Sequence, residues 1–207
     1  LNVYEYCGIK PNPIVEDVEK ATELGIENKI DCIVALGGGS VIDTAKIVSI
    51  CIPDHYNAWD IMKYRVKPKS SIPLVCVLTL AATGTEMNDA AVIQNHRTKQ
   101  KTGYVHPLLF PKVSFLDPDF TSTVPASYTS YGIADLVAHA LENYFGQGES
   151  QLADRFVGAI IQDAMHWAPK LLSNLQNYEY WANIMLDATC ALNGITALGK
   201  KVGDWGV

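Results

Sequence analysis

Asp135 and His139 stand four residues apart in Tyr131-Gly-Ile-Ala-Asp-Leu-Val-Ala-His-Ala-Leu-Glu-Asn-Tyr144. On a helix, residues at that spacing lie one above the other on the same face, so a carboxylate and an imidazole could share one divalent cation. Two ligands do not complete such a site, and no second cluster follows before Val207. The same spacing also describes an exposed ion pair worth only about 0.2–0.5 kcal/mol. Ile133, Val137 and Ala140 surround the pair with apolar or small residues. They argue for a partly buried face, where an unpaired carboxylate is costly.

Gly37-Gly-Gly39, between an apolar run and Ser40, is the second place where residue types point to chemistry. Glycines at a strand-to-helix junction let backbone N–H groups approach an anion closely, and the helix dipole adds to the attraction. That geometry suits a pyrophosphate, although the spacing is not the usual G-x-G-x-x-G of dinucleotide-binding turns. A simple tight turn would need one Gly rather than three. Thr79 and Thr83-Gly84-Thr85 follow the next apolar run, at the sheet edge where ligands of open parallel sheets lie. Hydroxyls there could hold ribose, phosphate or an amide, or could simply cap a turn. Alone, Lys101 reads as a solvated charge and Asn88 as a turn cap. His55, His96 and His106 have no partner at ligand spacing, and His166 fits a helix end. No residue stands out as a general base.

These groups need a scaffold. Pro11-Asn12-Pro13 predicts a helix capped by Asn12 and running to about Asn28. Asp31–Leu36 reads as a strand buried on both faces, and Ser40 as the cap of a second helix. Residues 53–71 read as irregular and Ile72–Leu80 as a second buried strand. Weaker strands at Ala90–Ile93 and Val113–Leu116 flank a polar, hairpin-like piece that contains Lys101. From Thr121 onward nothing reads as a strand. Helical periodicity runs over Pro125–Tyr144, Gln151–Leu172 and Tyr178–Leu198, with Leu152, Phe156, Ile160 and Met165 on one expected face. The fold class is therefore α/β: a Rossmann-like parallel-sheet domain over residues 1–120, then an all-helical domain over 121–207.

Composition bounds the function. Hydrophobic residues make up 48% and charged residues 18% of the 207, an ordinary globular balance. A net charge of −6 and no basic run argue against a nucleic-acid partner. No stretch has the length of a membrane span and no signal pattern opens the chain. The five cysteines are scattered, mostly in apolar strings, and read as reduced, buried thiols of a cytoplasmic protein.

Four segments in order carry a resemblance: Gly37-Gly-Gly-Ser-Val-Ile-Asp-Thr-Ala-Lys46, Thr79-Leu-Ala-Ala-Thr-Gly-Thr-Glu-Met-Asn88, Phe115-Leu-Asp-Pro118 and Gly132-Ile-Ala-Asp-Leu-Val-Ala-His-Ala-Leu-Glu142. Together they resemble the iron-containing (group III) alcohol dehydrogenases. Ala191-Leu-Asn-Gly194 and Gly203-Asp-Trp205 look most like the butanol dehydrogenase branch. The resemblance implies a metal-dependent oxidoreductase that moves a hydride between NAD or NADP and a primary alcohol or aldehyde such as butanol or butanal. It implies Gly38, Gly39 and Ser40 at the cofactor pyrophosphate, and Thr79, Leu80, Thr83, Asn88 and Lys101 on the rest of the cofactor. It also implies Asp135 and His139 as the first two ligands of Fe²⁺ or Zn²⁺, and a homodimer.

In that family two further His ligands follow the Gly-Asp-Trp segment, and strands precede the region that opens here. The chain is thus expected to be an internal piece of a longer enzyme, with a half-built metal site and weak metal binding by itself. A glycerol-dehydrogenase-like or dehydroquinate-synthase-like enzyme would use the same cofactors. A non-catalytic nucleotide-binding remnant is the reading if the natural chain ends at Val207.

Overall fold

The computed structural model describes residues 1–201, in two compact units. The first unit comprises Leu1–Val77 with Asp89–Phe115, and the second comprises Leu78–Asn88 with the chain from Leu116 onward. The expected Gly203-Asp-Trp205 motif lies outside the described residues.

In the first unit the order is α1 (Val15–Glu27), β1 (Ile33–Gly37), α2 (Gly39–Cys51), α3 (Ala58–Met62), β2 (Leu74–Leu78), β3 (Ala90–Asn95), β4 (Gln100–Val105) and β5 (Val113–Phe115). The main sheet runs β1-β2-β5, with β2 parallel to β5 and Val75 opposite Val113, Val77 opposite Phe115. Strands β3 and β4 form a separate antiparallel ribbon, from Ala90 opposite Val105 to Asn95 opposite Gln100. An α/β layer followed by helices is the class the sequence predicts.

Helix α2 organises this unit. From Ile42 to Cys51 every residue except Asp43 is buried, the pattern of a helix that is packed on all sides rather than laid on a surface. Val18 of α1, Ile61 and Met62 of α3 and Ile93 of β3 share its core cluster. Lys46 is fully buried and its Nζ donates to the Ala90 carbonyl at 2.7 Å, while Asp43 Oδ2 accepts from the Val92 amide at 2.9 Å. Two polar side chains of α2 thereby satisfy backbone groups of β3, as buried peptide groups require.

Both predicted helix caps differ from what is found, for one reason. Asn12 adopts φ +59° and α1 begins at Val15 with no side-chain cap. The Pro13 carbonyl accepts from the Gln94 amide at 2.8 Å and Ile14 bridges Gln94, so residues 12–14 are held as an extension against β3. Ser40 lies inside α2, whose N-cap is Gly38; its hydroxyl accepts from the Asn12 amide at 3.1 Å. The two expected caps are bonded to each other instead.

Three further expectations change. The 53–71 segment contains α3, short but capped by Asn57, whose side chain accepts from the Asp60 amide at 3.1 Å. Strand β1 is not covered on both faces by the described residues: Val34 and Leu36 are exposed, as are Val113 and Phe115 of β5. Cys51 and Cys76 are buried, but Cys7 and Cys32 are exposed; none of the five cysteines is in a disulfide.

The second unit packs α4 (Ala126–Tyr144), α5 (Gln151–Ser173) and α6 (Tyr178–Leu192) against one another. Helix α6 stops before Gly194, which takes φ +94°, and a 3₁₀ turn at Ile195–Ala197 continues the chain. Buried on α5 are Ala153, Val157, Ile160 and Ala164, whereas Leu152 and Met165 are exposed. Leu171 is buried near the end of the same helix, and Leu152 and Met165 each lie one position off the buried stripe. Asn143 of α4 locks the bundle end by donating from Nδ2 to the Ala191 carbonyl at 3.0 Å and to Thr196 Oγ1 at 2.7 Å.

The loop Leu78–Asn88 belongs to this unit through close backbone contacts. Gly84 has φ +60°, and a Cβ there would lie 2.9 Å from the Ala188 carbonyl of α6. Only glycine meets both demands. Nearby, Thr189 of α6 donates to Glu86 Oε1 at 2.5 Å. Among the described residues, no helix is long and apolar enough to cross a membrane.

Candidate functional site

Helix α4 places Asp135 and His139 one turn apart, with His139 Nε2 3.8 Å from Asp135 Oδ1. That is too long for a hydrogen bond. His139 is 5% exposed and its Nδ1 is buried with no hydrogen-bond partner, while the Asp135 side chain is partly exposed. A neutral imidazole has one donor and one acceptor nitrogen, and leaving a buried one unmet costs about 1–3 kcal/mol. The ring nitrogen within reach of Asp135 is Nε2, and a cation shared with that carboxylate would take its lone pair while Nδ1 carries the proton. The pair therefore fits part of a metal site built from N and O donors. Among the described residues no group of three His, Cys, Asp or Glu side chains converges on one point.

The side chains of three of the other four histidines have local partners. His106 Nδ1 accepts from the Leu108 amide at 3.2 Å. His96 Nε2 is 3.3 Å from Gln94 Oε1, and His166 Nε2 is 2.7 Å from Lys170 Nζ.

Gly38, Gly39 and Ser40 are consecutive at the start of the 13-residue α2. No side chain caps that helix, and although the Val41 amide bonds the Gly38 carbonyl at 3.0 Å, the N–H groups before it and the helix dipole point to where an anion could sit. The close strand-to-helix junction depends on Gly37, where a Cβ would lie 2.6 Å from Val41 Cγ2. Backbone alone builds the approach to this helix end, which fits a phosphate group.

Thr79, Leu80, Thr83 and Asn88 all lie on the Leu78–Asn88 loop. Thr79, Leu80 and Thr83 are half-buried, and Thr83 Oγ1 accepts from the Thr85 amide at 3.4 Å. Asn88 is buried, and its Nδ2 donates to the Gly84 carbonyl at 3.1 Å and the Leu192 carbonyl at 3.5 Å. Its amide therefore clasps the loop to α6. Lys101 is exposed on β4, opposite Gln94, and with Asn95, His96 and Lys99 lines a shallow cleft of about 430 Å³. The cofactor candidates thus lie on three elements: the start of α2, the Leu78–Asn88 loop and, for Lys101, β4.

Sequence reasoning passed over Asp187. It lies on the buried face of α6, three residues after Ile184 and one before Ala188, and is 6% exposed. The signal was available: an acid on an apolar stripe at helical spacing. Burial first, then the negative charge of Asp163, pushes its carboxyl up to about 7, and the Cys190 thiol is pushed up by burial and then by Asp187. Because this value lies above the unfolded carboxyl's, about 4, the native state holds a proton that the unfolded chain releases. The stabilisation is complete below about pH 4 and is lost as pH rises through about 7. In buffer without divalent cations, Asp187→Asn is expected to remove that component of the pH profile and raise Tm above pH 7 by about 2–6 °C. Calorimetry across the range checks it; parallel Tm profiles for the two proteins would reject it.

Comparison with known proteins identifies the family. The family model for "Iron-containing alcohol dehydrogenase" matches residues 1–118. The chain is 43% identical over 204 residues to "Probable NADH-dependent butanol dehydrogenase 1" of Bacillus subtilis, covering 98% of this chain and 52% of that protein. It is 36% identical over 209 residues to the NADPH-dependent aldehyde reductase YqhD of Escherichia coli, covering 99% of this chain and 54% of the relative. The crystal structure of NADH-dependent butanol dehydrogenase A from Thermotoga maritima superposes with a TM-score of 0.92 at 37% identity, covering 96% of this chain and 50% of that one. The chain spans about half the length of the curated relatives it matches. A parallel-sheet unit with a glycine-built helix entry, a helical unit carrying an Asp-x-x-x-His pair, and a family model that matches more than half of the residues lead to one assignment: this chain belongs to the iron-containing alcohol dehydrogenase family.

Proposed function

We propose that the protein is a metal-dependent oxidoreductase that transfers a hydride between NAD or NADP and a primary alcohol or its aldehyde, with butanol and butanal as the substrate class. The observation that carries the reading is the buried His139 ring, whose Nε2 lies 3.8 Å from the Asp135 carboxylate one turn away, too far for a hydrogen bond. The names of the relatives, butanol dehydrogenase and aldehyde reductase, support the substrate class. They use NADH and NADPH respectively, so both cofactors belong to the reading.

In this reading residues 1–120 form the dinucleotide-binding part and residues 121–207 the metal-binding part. Gly38, Gly39 and Ser40 receive the cofactor pyrophosphate on the N–H groups at the start of α2. Thr79, Leu80, Thr83, Asn88 and Lys101 contact the remainder of the cofactor, with Asn88 acting mainly by fixing the loop. Asp135 and His139 hold Fe²⁺ or Zn²⁺, His139 in the neutral form that leaves one ring nitrogen to donate a lone pair. The metal, when bound, supplies Lewis acidity toward the substrate oxygen, and the nicotinamide supplies or accepts the hydride. The protein is assigned to the cytoplasm, on the support of five cysteines that form no disulfide, and to a homodimer.

The test uses the full-length protein, stripped by chelator and reloaded anaerobically with Fe²⁺ or with Zn²⁺. Nicotinamide absorbance should show butanal reduction with at least one of NADH and NADPH, lost on stripping and restored by metal. Glycerol oxidation that outpaces butanol oxidation, or turnover indifferent to stripping, would overturn the reading.

A further inference from the structure

We propose that the cleft between α5 and α6 is a second cation site, in which Asp163 and Asp187 hold a hydrated divalent cation of the Mg²⁺ class. The cleft measures about 400 Å³ and is lined by Ala159, Ile160, Gln162 and Asp163 of α5 and by Asp187 of α6. It lies wholly within the helical unit and shares no residue with Asp135 and His139.

Three features point to a cation. Asp187 is 6% exposed, lines the cleft, and its Oδ2 is buried with no hydrogen-bond partner. An ionised carboxylate so placed is tolerated only when a positive charge compensates it. Asp163 faces the same space from the opposite helix and raises the cost, because two like charges disfavour each other's ionised form. Its Oδ1 accepts from Trp167 Nε1 at 3.1 Å, so the indole holds the carboxylate in place. Among the described residues neither carboxylate forms an ion pair.

The ligand chemistry selects the kind of cation. Lining oxygens come from two carboxylates and a side-chain amide, with no imidazole or thiolate in the lining, so Fe²⁺ and Zn²⁺ are poorly served. Magnesium demands oxygen ligands, keeps several waters, and is commonly held by one or two carboxylates. The cleft has room for that hydration shell. The consequence is a pin between α5 and α6 that converts a repulsive pair of acids into a stabilising contact.

The experiment uses the full-length protein already loaded with its own metal, exchanged into buffer freed of other divalent ions. Titration with millimolar MgCl₂, against NaCl at matched ionic strength, should raise Tm by about 2–4 °C and give a saturable isotherm by calorimetry. Asp187→Asn and Asp163→Asn should each abolish both responses. Asp163 is half-buried, so its variant carries the test if Asp187→Asn does not fold. A wild-type protein that ignores Mg²⁺ would overturn the proposal. Such a result would mean that Asp187 stays protonated or that a basic side chain fills the cleft. A full Mg²⁺ response in either variant would overturn it equally.

Discussion

His139→Ala in the full-length protein is expected to lose its tightly bound metal and to lower kcat/KM for a primary alcohol by at least about 10³-fold, or about 4 kcal/mol of transition-state stabilisation. Binding of NAD(P)H, measured by quenching of tryptophan fluorescence, should change little, because the residues assigned to the cofactor lie on other elements. The structure makes the prediction sharper than a ligand motif would. His139 is buried, its Nδ1 has no partner and its Nε2 is 3.8 Å from Asp135, so the ring contributes no hydrogen bond that the alanine variant would forfeit. A purely structural core histidine would behave differently: its removal would cost Tm and leave metal content and turnover per folded molecule intact. Asp135→Ala, at a partly exposed position, should show the same loss of metal and turnover with little change in Tm. Elemental analysis alongside turnover separates the cases, and stoichiometric metal in His139→Ala would reject the assignment.

Much of this site was legible from residue types because the chemistry is local. The start of α2 is a backbone device, and three consecutive glycines announce it. The Asp-x-x-x-His pair needs only a helix, and Pro125 followed by apolar periodicity marks α4 to within a residue of its observed start at Ala126. What sequence could not supply were partners distant in the chain. Asn12 and Ser40 both carry cap-forming side chains, yet the Ser40 hydroxyl accepts from the Asn12 backbone N–H across 28 positions while Pro13 is tied to Gln94. Local propensity has no access to that competition. The face of α5 was misplaced in part. Of the expected face Ile160 is buried, but the buried stripe runs Ala153, Val157, Ile160 and Ala164, with Leu152 and Met165 one position off it. Asp187 was hidden by the converse prejudice, that an acid belongs outside. Strand β1 looked doubly buried because Ile33-Val-Ala-Leu36 is apolar throughout, whereas among the described residues Val34 and Leu36 are uncovered.

Gly132→Ala is expected to be among the most damaging small substitutions in the helical unit, against the direction that helix propensity alone would give. Alanine is better than glycine inside a helix by about 1 kcal/mol, and Gly132 sits in the interior of α4. Its missing side chain is nevertheless required. A Cβ at this position would lie 2.4 Å from the Ala81 carbonyl oxygen and 3.4 Å from Ala82 Cβ. The first contact is far inside van der Waals range and its partner is backbone, so no side-chain rotation relieves it. Either α4 or the Leu78–Asn88 loop has to move, at a cost of about 1–3 kcal/mol or more. Asp135 and His139 follow Gly132 by three and seven residues, the spacing of one helix stripe, so a shift that clears the clash displaces the metal pair with it. The expected result in the full-length protein is a Tm lower by about 3–10 °C, accompanied by weakened metal retention. Gly158 of α5 supplies the matched control, since a Cβ there meets nothing within 4 Å. Gly158→Ala should therefore follow propensity, leaving Tm unchanged or raised by a few degrees with metal content intact. If the two alanine variants shifted Tm in the same direction and held equal metal, the close approach of α4 to the Ala81 backbone would not be what makes glycine necessary at position 132.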